Sequence, residues 1–498
     1  VSVRAAGGAT ERGTGLPVAL GYAALAVAAG LAIGAGVAMG FNIKYLIAAA
    51  IAPFVLVLVL ARPHLAVTAY VVIVYADVLS LLVQYQGMPP LARFAGIALL
   101  SAVAGYRLII LRDRLVSDPL TWWMAGYGIV LALGLLYARR PDLVMDNVIE
   151  FTRNFLTYLL IINTLTSMAR LRTALWASLG MGALMATLTL YQSVTGNFNN
   201  EFGGLAQYRV SEIASGSDAP RPSGPVADAN YYGQLLLIVL PLSLYLIFEG
   251  RSRLVRLLGV GASLALVAAL VFTYSRGDAL ALILMLALAV AYKRPHPALL
   301  IAGVVGLAAV VPFLPQNYVA RLSTVIDVAT GNEQTILTES SIRGRAGAIQ
   351  AAVAMFADHP ILGVGRENYP LYQAEYLAGT RIAYQSKAIP PHDLYLEIAA
   401  EHGIIGIIVW GGALVAAFAA IRETRRRFKA AGQREGVELA AWLGIGLIGY
   451  LASSLFLHGA FQYMLWLQIS FIAALRQVAR RNAPVLPLDR KVLPWPHL

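Results

Sequence analysis

Residues 257–292 read LLGVGASLALVAALVFTYSRGDALALILMLALAVAY. Two apolar runs meet at a polar triplet around Ser275, and Arg276 sits at the break. A helix that crosses a bilayer needs about 20 mainly apolar residues, and each run comes close to that length. The stretch reads as two membrane helices joined by a short polar turn. The same pattern recurs along the chain. Apolar stretches begin near Leu16, Ile43, His64, Leu91, Pro119, Asn147, Leu171, Tyr231, Leu257, Gly277, Ala298, Leu394, Val437 and Gly459. The last two lie close together and the Ser275 break is short, so about 12–14 spans are expected.

Composition agrees. Of 498 residues, 59% are hydrophobic and only 13% charged, with a mean hydropathy of +0.69. Soluble domains carry about 25% charged residues, and a globular chain this poor in charge could not cover its surface. The expected fold is therefore one all-α polytopic membrane domain over residues 1–498. The first stretch is too long and too late for a signal peptide, and is expected to be a retained helix. With no cysteine, disulfides, thiolate catalysis and Cys-based metal sites are excluded. The seven histidines show no HExxH or other tight ligand spacing, so a zinc site is not expected, and no motif calls for a metal or another cofactor.

Basic residues set the orientation, because cytoplasmic connections concentrate Lys and Arg. With the N-terminus inside, 24 of the 38 fall on inner segments, among them the cluster from Arg422 to Arg434. Both termini then lie in the cytoplasm, with residues 477–498 as a tail. The net charge of +12 is mainly a topology signal, which argues against a nucleic-acid partner. Two outer segments are long: 195–228 and 316–391. Loops beyond about 15 residues are usually functional or disordered. The second has balanced charge, several aromatics and a helical stretch, and is expected to fold as a cap over the outer face.

Few residues stand out as carriers of chemistry. Arg276, at the break, is either a snorkelling interfacial arginine or part of an anion site. Gly277 beside it would let a ligand approach the backbone. Arg345 opens a helical run that ends at Asp358-His359-Pro360. Helical spacing puts it on one face with Ile349, Ala352 and Phe356, while Arg343 lies elsewhere. An inward arginine needs a carboxylate, a carbonyl or an anionic ligand. His392 follows Pro390-Pro391 at the outer end of a membrane helix, where it is either an interfacial cap or a proton acceptor. Asp393 is a cap or an orienting carboxylate. Arg221 lies in a Pro/Gly-rich segment, and Asn230 reads as a helix cap. Glu150 and Arg153, at i and i+3, are expected to neutralise each other. Asp77 reads as a relay or as a buried group bonded to a neighbour. Together, outer-face arginines and one histidine suit a lipid pyrophosphate, because a guanidinium grips phosphate oxygens with a fork of N–H groups.

Four stretches resemble the O-antigen ligase and O-antigen polymerase superfamily of bacterial envelope glycosyltransferases. Arg221-Pro-Ser-Gly-Pro-Val-Ala-Asp-Ala-Asn230 is similar to the family's Arg-x-x-Gly segment ending in Pro-Asn, with Ala229 in place of proline. Thr273-Tyr-Ser-Arg-Gly277 is similar to its Ser-Arg-Gly. Arg345, fourteen residues before His359-Pro-Ile-Leu-Gly-Val-Gly365, follows its most specific pattern, with Ile349 where tryptophan is usual. His392-Asp-Leu-Tyr-Leu, with Glu401-His-Gly403 downstream, is similar to its His-Asn-x-Tyr-Leu, with Asp393 replacing asparagine.

The resemblance implies a C-type glycosyltransferase fold and an active site facing outward from the bacterial inner membrane. It implies Arg276, Arg345 and His392 as functional residues; beside these three, Arg221 is expected to assist in pyrophosphate binding, and Asp393, Asn230 and Arg343 to support the site. It further implies an undecaprenyl-pyrophosphate-linked glycan donor, a glycolipid or glycan acceptor, and an inverting, metal-independent transfer. A ligase acting on lipid A core or another terminal acceptor is the first expectation and a repeat-unit polymerase the second. A polysaccharide flippase or exporter and a membrane scaffold are rivals from other classes.

Overall fold

A computed structural model describes residues 61–87, 105, 115–214, 217–308, 340–378, 390–459 and 462–482. The stretches expected near Leu16, Ile43 and Leu91 lie outside these residues. So do most of the tail and the Arg343 side chain. The chain divides into two compact units, residues 1–66 and 67–498, and the candidate functional site lies in the second.

Among the described residues, membrane hydropathy becomes helix. The described helices are α1 (Pro63–Tyr75), α2 (Val78–Gln86), α3 (Pro119–Leu133), α4 (Pro141–Thr164), α5 (Met168–Thr195), α6 (Ala229–Glu249) and α7 (Arg253–Phe272). They continue as α8 (Arg276–Lys293), α9 (Pro297–Ala308), α10 (Ser340–Asp358), α11 (Tyr369–Leu377), α12 (Leu394–Ala430), α13 (Arg434–Ser453) and α14 (Tyr463–Asn482). Among them, six are long and apolar enough to cross a membrane, or seven if the bent pair α1–α2 counts as one span. The protein is an all-α polytopic membrane protein.

Helix starts follow the capping rules, in which a side-chain oxygen satisfies an otherwise orphaned N–H. Asp118 forms a capping box with Thr121 at α3, and Ser167 and Ser252 cap α5 and α7. Helix α6 packs on α7 and α13, α12 on α13 and α3, and α14 on α4 and α12. Helices α6 and α13 are enclosed along most of their length. Leu257, Leu258, Ile283, Ile408 and Val415 point outward instead. Such exposed apolar stripes belong against lipid.

The end of the bundle opposite His392 is held by ion pairs. Arg427, Arg476 and Arg480 converge on Glu423, Lys293 lies between Glu249 and Glu438, and Arg172 and Arg251 share Glu435.

The segment 195–228 is not only loop. Strands β1 (Gln207–Ala214) and β2 (Ser217–Gly224) form an antiparallel hairpin in which Arg209 faces Arg221. Pro220 and Pro222 remove donors from β2, which two strands tolerate because each is an edge.

Helix α12 is broken. Gly403 has φ 60° and ψ −161°, so Leu394–His402 forms a half-helix ahead of the main span. Irregular backbone at membrane depth survives only where protein or a polar cavity satisfies it. Here the segment after α10 does so. Val364 and Gly365 donate to the carbonyls of Ala400 and Glu401 at 3.0 and 2.9 Å. Ile404 and Ile405 donate to those of Pro360 and Ile361 at 2.8 and 3.3 Å. Glycines make the approach possible. A Cβ on Gly403 would lie 2.4 Å from the Ile361 carbonyl, and one on Gly363 would lie 2.3 Å from the Glu401 carbonyl carbon. The sequence patterns His-Pro-x-x-Gly-Val-Gly and Glu-x-Gly are thus two halves of one interlock. Gly403→Ala should destabilise the protein by about 1–3 kcal/mol from backbone conformation alone, with the clash added. Gly411→Ala, in the same helix with nothing near its Cβ position, should be neutral or slightly stabilising. Thermal unfolding of the two purified variants checks this.

Candidate functional site

Three helices begin around one end of α13: α6, α8 and α12. Each starts the same way. A non-glycine residue in the left-handed region (Ala227 at φ 55°, Tyr274 at 55°, His392 at 51°) turns the chain into a cap residue. The caps are Asp228, Ser275 and Asp393. Left-handed backbone costs on the order of 1–2 kcal/mol per non-glycine residue, and such strain clusters at functional sites. Asp393 Oδ1 accepts from Tyr395 and Leu396 N–H at 2.9 and 3.0 Å, so this carboxylate is the cap of α12. Asn230 is not a cap. Asp228 has that role, because its side chain precedes the first turn and accepts from the N–H groups of Asn230 and Tyr231.

Asn230 instead serves Arg221. Arg221 Nη2 donates to Asn230 Oδ1 at 3.0 Å, and Nε donates to the Thr273 carbonyl at 2.9 Å. The guanidinium thereby ties β2 to the turn that presents Arg276. Arg276 is half-buried at the first position of α8. Gly277 does not open space for a ligand as expected. A Cβ there would lie 2.5 Å from Phe456 Cβ, so the glycine admits the turn after α13.

The face assigned to Arg345 also needs correction. Helix α10 buries Ala348, Ala351, Ala352 and Met355, while Ile349 is 42% exposed. Arg345 is half-buried on the flank of that face. It is close enough to His392 that its charge opposes protonation of the imidazole. Arg345 and His392, 47 residues apart in sequence, are therefore brought together electrostatically.

His392 is not alone. Its ring meets His458 edge to face, with centroids 5.2 Å apart. His458 Nδ1 lies 2.6 Å from Tyr231 Oη, and Tyr231 O–H donates to the His458 carbonyl at 3.0 Å. The phenol has one proton. Given to the carbonyl, it leaves His458 Nδ1–H as donor to the phenol oxygen and Nε2 as the basic nitrogen. His392 Nδ1 is buried and makes no hydrogen bond. Burial, His458 and Arg345, in that order, push His392 down to about 4, against an ordinary 6.5. Burial and then Arg366 push His458 to about 4. Both imidazoles are neutral at pH 7.

Sequence reasoning missed Arg366. It follows the Gly363-Val364-Gly365 interlock and is 4% exposed. Nη1 donates to Glu397 at 2.7 Å and Glu401 at 2.9 Å, Nη2 to the Gly459 carbonyl at 2.9 Å, and Nε to Asn147 at 3.2 Å. Glu397 also accepts from Gly459 N–H. Glu397 and Glu401 are one turn apart on an apolar helix, and two carboxylates on one buried face demand a cation. That spacing was the available signal. His458 was missed because it lies in the short connection between the last two helices. That connection touches most of the site: Phe456 meets Gly277, His458 meets Tyr231 and His392, and Gly459 meets Glu397 and Arg366.

Two smaller expectations fall outside this centre. Glu150 and Arg153 pair at 3.6 Å, and Asp77 accepts from Ser80 at 2.8 Å.

No curated protein matches the chain. A family model does match, over residues 261–411, a segment that holds Arg276, Arg345, Arg366, His392 and the Gly403 break but neither Arg221 nor His458. Over this central segment the chain is thus similar to the family described as O-Antigen ligase.

Proposed function

We propose that the protein is a membrane glycosyltransferase that moves a glycan from undecaprenyl pyrophosphate to a hydroxyl acceptor, as an O-antigen ligase. The observation that carries this reading is the placement of His392 at the start of α12, packed edge to face on His458 and within electrostatic reach of Arg345, with His392, Arg276 and Arg345 all inside the matched segment. The match itself indicates the broader class, a ligase- or polymerase-type membrane glycosyltransferase. In the proposed reaction the donor pyrophosphate docks on Arg276 and Arg345, and Arg221 assists by holding the turn that carries Arg276. The acceptor oxygen attacks the anomeric carbon from the face opposite the leaving group, so the configuration inverts. The new C–O bond forms as the bond to the pyrophosphate oxygen breaks. The acceptor proton passes to His392, and undecaprenyl pyrophosphate leaves with its developing charge held by the arginines.

An imidazole near 4 is a weak base. Arg345 is one cause of that weakness. A pyrophosphate bound to Arg345 offsets its charge, so donor binding makes His392 more basic at the moment a base is needed. The limb of kcat/KM reports the free enzyme and that of kcat the complex. Below about 4 the free imidazole is protonated and cannot accept a proton. The acid limb of kcat/KM should therefore lie near 4 and that of kcat at higher pH. Coincident limbs would remove the arming step.

A purified-protein assay with a synthetic polyprenyl-pyrophosphate glycan, run with and without EDTA, tests the reaction. Covalent transfer to acceptor in EDTA is the expected result. Movement of the lipid across the bilayer with no new bond would make the protein an exporter. Repeat units joined to each other would make it a polymerase. Arg276→Lys and Arg345→Lys should both transfer poorly, because a point charge lacks the guanidinium fork.

A further inference from the structure

The ion pairs at the bundle end opposite His392 leave one group of cations out. Helix α12 ends in a run of basic residues, and only Arg427 of that run turns to Glu423. Arg422, Arg425, Arg426 and Lys429 line a cleft of about 300 Å³ with Phe418 and Ile421. Arg425 lies over the Tyr292 ring at 5.4 Å. Arg422, Arg426 and Lys429 have no carboxylate partner among the described residues, and all three are exposed. This differs from the same end of α8, α13 and α14, where Lys293, Arg434, Arg476 and Arg480 are each within 4 Å of a carboxylate.

The apolar part of the cleft matters as much as the charge. Phe418 is partly exposed, and Val415 and Ile408 continue the same outward stripe of α12 towards the bilayer centre. A water-borne anion would gain nothing from such a stripe. A phospholipid would place its phosphate among the cations and its acyl chains along Phe418, Val415 and Ile408. Basic pockets at the ends of membrane helices, next to an anionic leaflet, favour lipid phosphates.

We propose that this cleft is a binding site for the headgroup of an anionic phospholipid, with a two-phosphate lipid such as cardiolipin as the best match to four cations. The site lies at the far end of α12 from His392 and does not depend on the glycosyl-transfer reading.

The test uses the full chain in nanodiscs that contain phosphatidylcholine with or without cardiolipin. Lipid retained after detergent extraction is counted by native mass spectrometry. The variant R422Q/R426Q/K429Q is compared with R253Q/R294Q/R481Q, which removes the same charge from the same end outside the cleft. Each surface cation near an anionic lipid contributes about five-fold in affinity, so the first variant should bind cardiolipin on the order of 100-fold more weakly than wild type. The second should stay within a few-fold, and both should unfold at the wild-type temperature in phosphatidylcholine alone. Equal losses in the two variants would mean diffuse attraction and would overturn the site. So would displacement of cardiolipin from the wild type by millimolar inorganic phosphate or by an acidic peptide.

Discussion

His392→Ala is expected to lower glycosyl transfer by about 10²–10⁴-fold while the protein remains folded. The size follows from removal of the proposed base. The neutral fold follows from geometry: His392 Nδ1 makes no hydrogen bond, and Asp393, not His392, caps α12. Loss of the ring leaves no buried charge unpaired. Its left-handed backbone even favours a smaller residue, so His392→Gly should fold at least as well as His392→Ala. Single-turnover transfer with bound donor measures the chemical step directly. Transfer within a few-fold of wild type would remove His392 from the reaction. His458→Gln separates the two histidines. It keeps a polar group beside Tyr231 and removes one of the causes that depress His392, so its effect should fall on the pH profile more than on the maximal rate.

Arg366→Met should cost about 3–5 kcal/mol of stability, the largest expected for any single substitution here. The arginine is nearly inaccessible and answers two carboxylates, a carbonyl and an amide oxygen. Removing it strands Glu397 and Glu401 in a low-dielectric interior, and an uncompensated buried charge is costly whatever the pair contributed when intact. Unfolding of the detergent-purified variant should shift to much lower temperature or denaturant. The triple variant R366M/E397Q/E401Q should recover part of the loss, because the stranded charges are gone. No recovery would mean that the cost lies in packing, and a small loss in R366M itself would mean that the network is open to water.

Much of the fold was legible because hydropathy is a local property. The two runs around Ser275 are α7 and α8, and the helical run that opens near Arg345 is α10. The site was legible in part. Arg345 and His392 stood out by type and position, and the structure places them in electrostatic reach. What the sequence concealed was relational. Arg366 looks like an ordinary loop charge until Glu397 and Glu401, more than thirty residues later, fold beside it. Arg345 seemed to share a face with Ile349, because period alone cannot tell which side of an amphipathic helix meets protein and which is left outside. The hairpin over 207–224 was hidden by prolines that usually argue against strands.

The interlock at Gly403 restricts how the protein can move. A continuous membrane helix can slide past its neighbours by one turn, about 5.4 Å. Helix α12 cannot do so alone, because four hydrogen bonds from the 360–365 segment enter its backbone on both sides of the break. The same segment is tied to the connection after α3, where Tyr137 O–H donates to the Leu362 carbonyl at 2.7 Å. His392, Arg366 and the half-helix that carries Glu397 and Glu401 therefore belong to one interlocked block. A shift of α12 along its axis would have to carry the 360–365 segment and the connection after α3 with it.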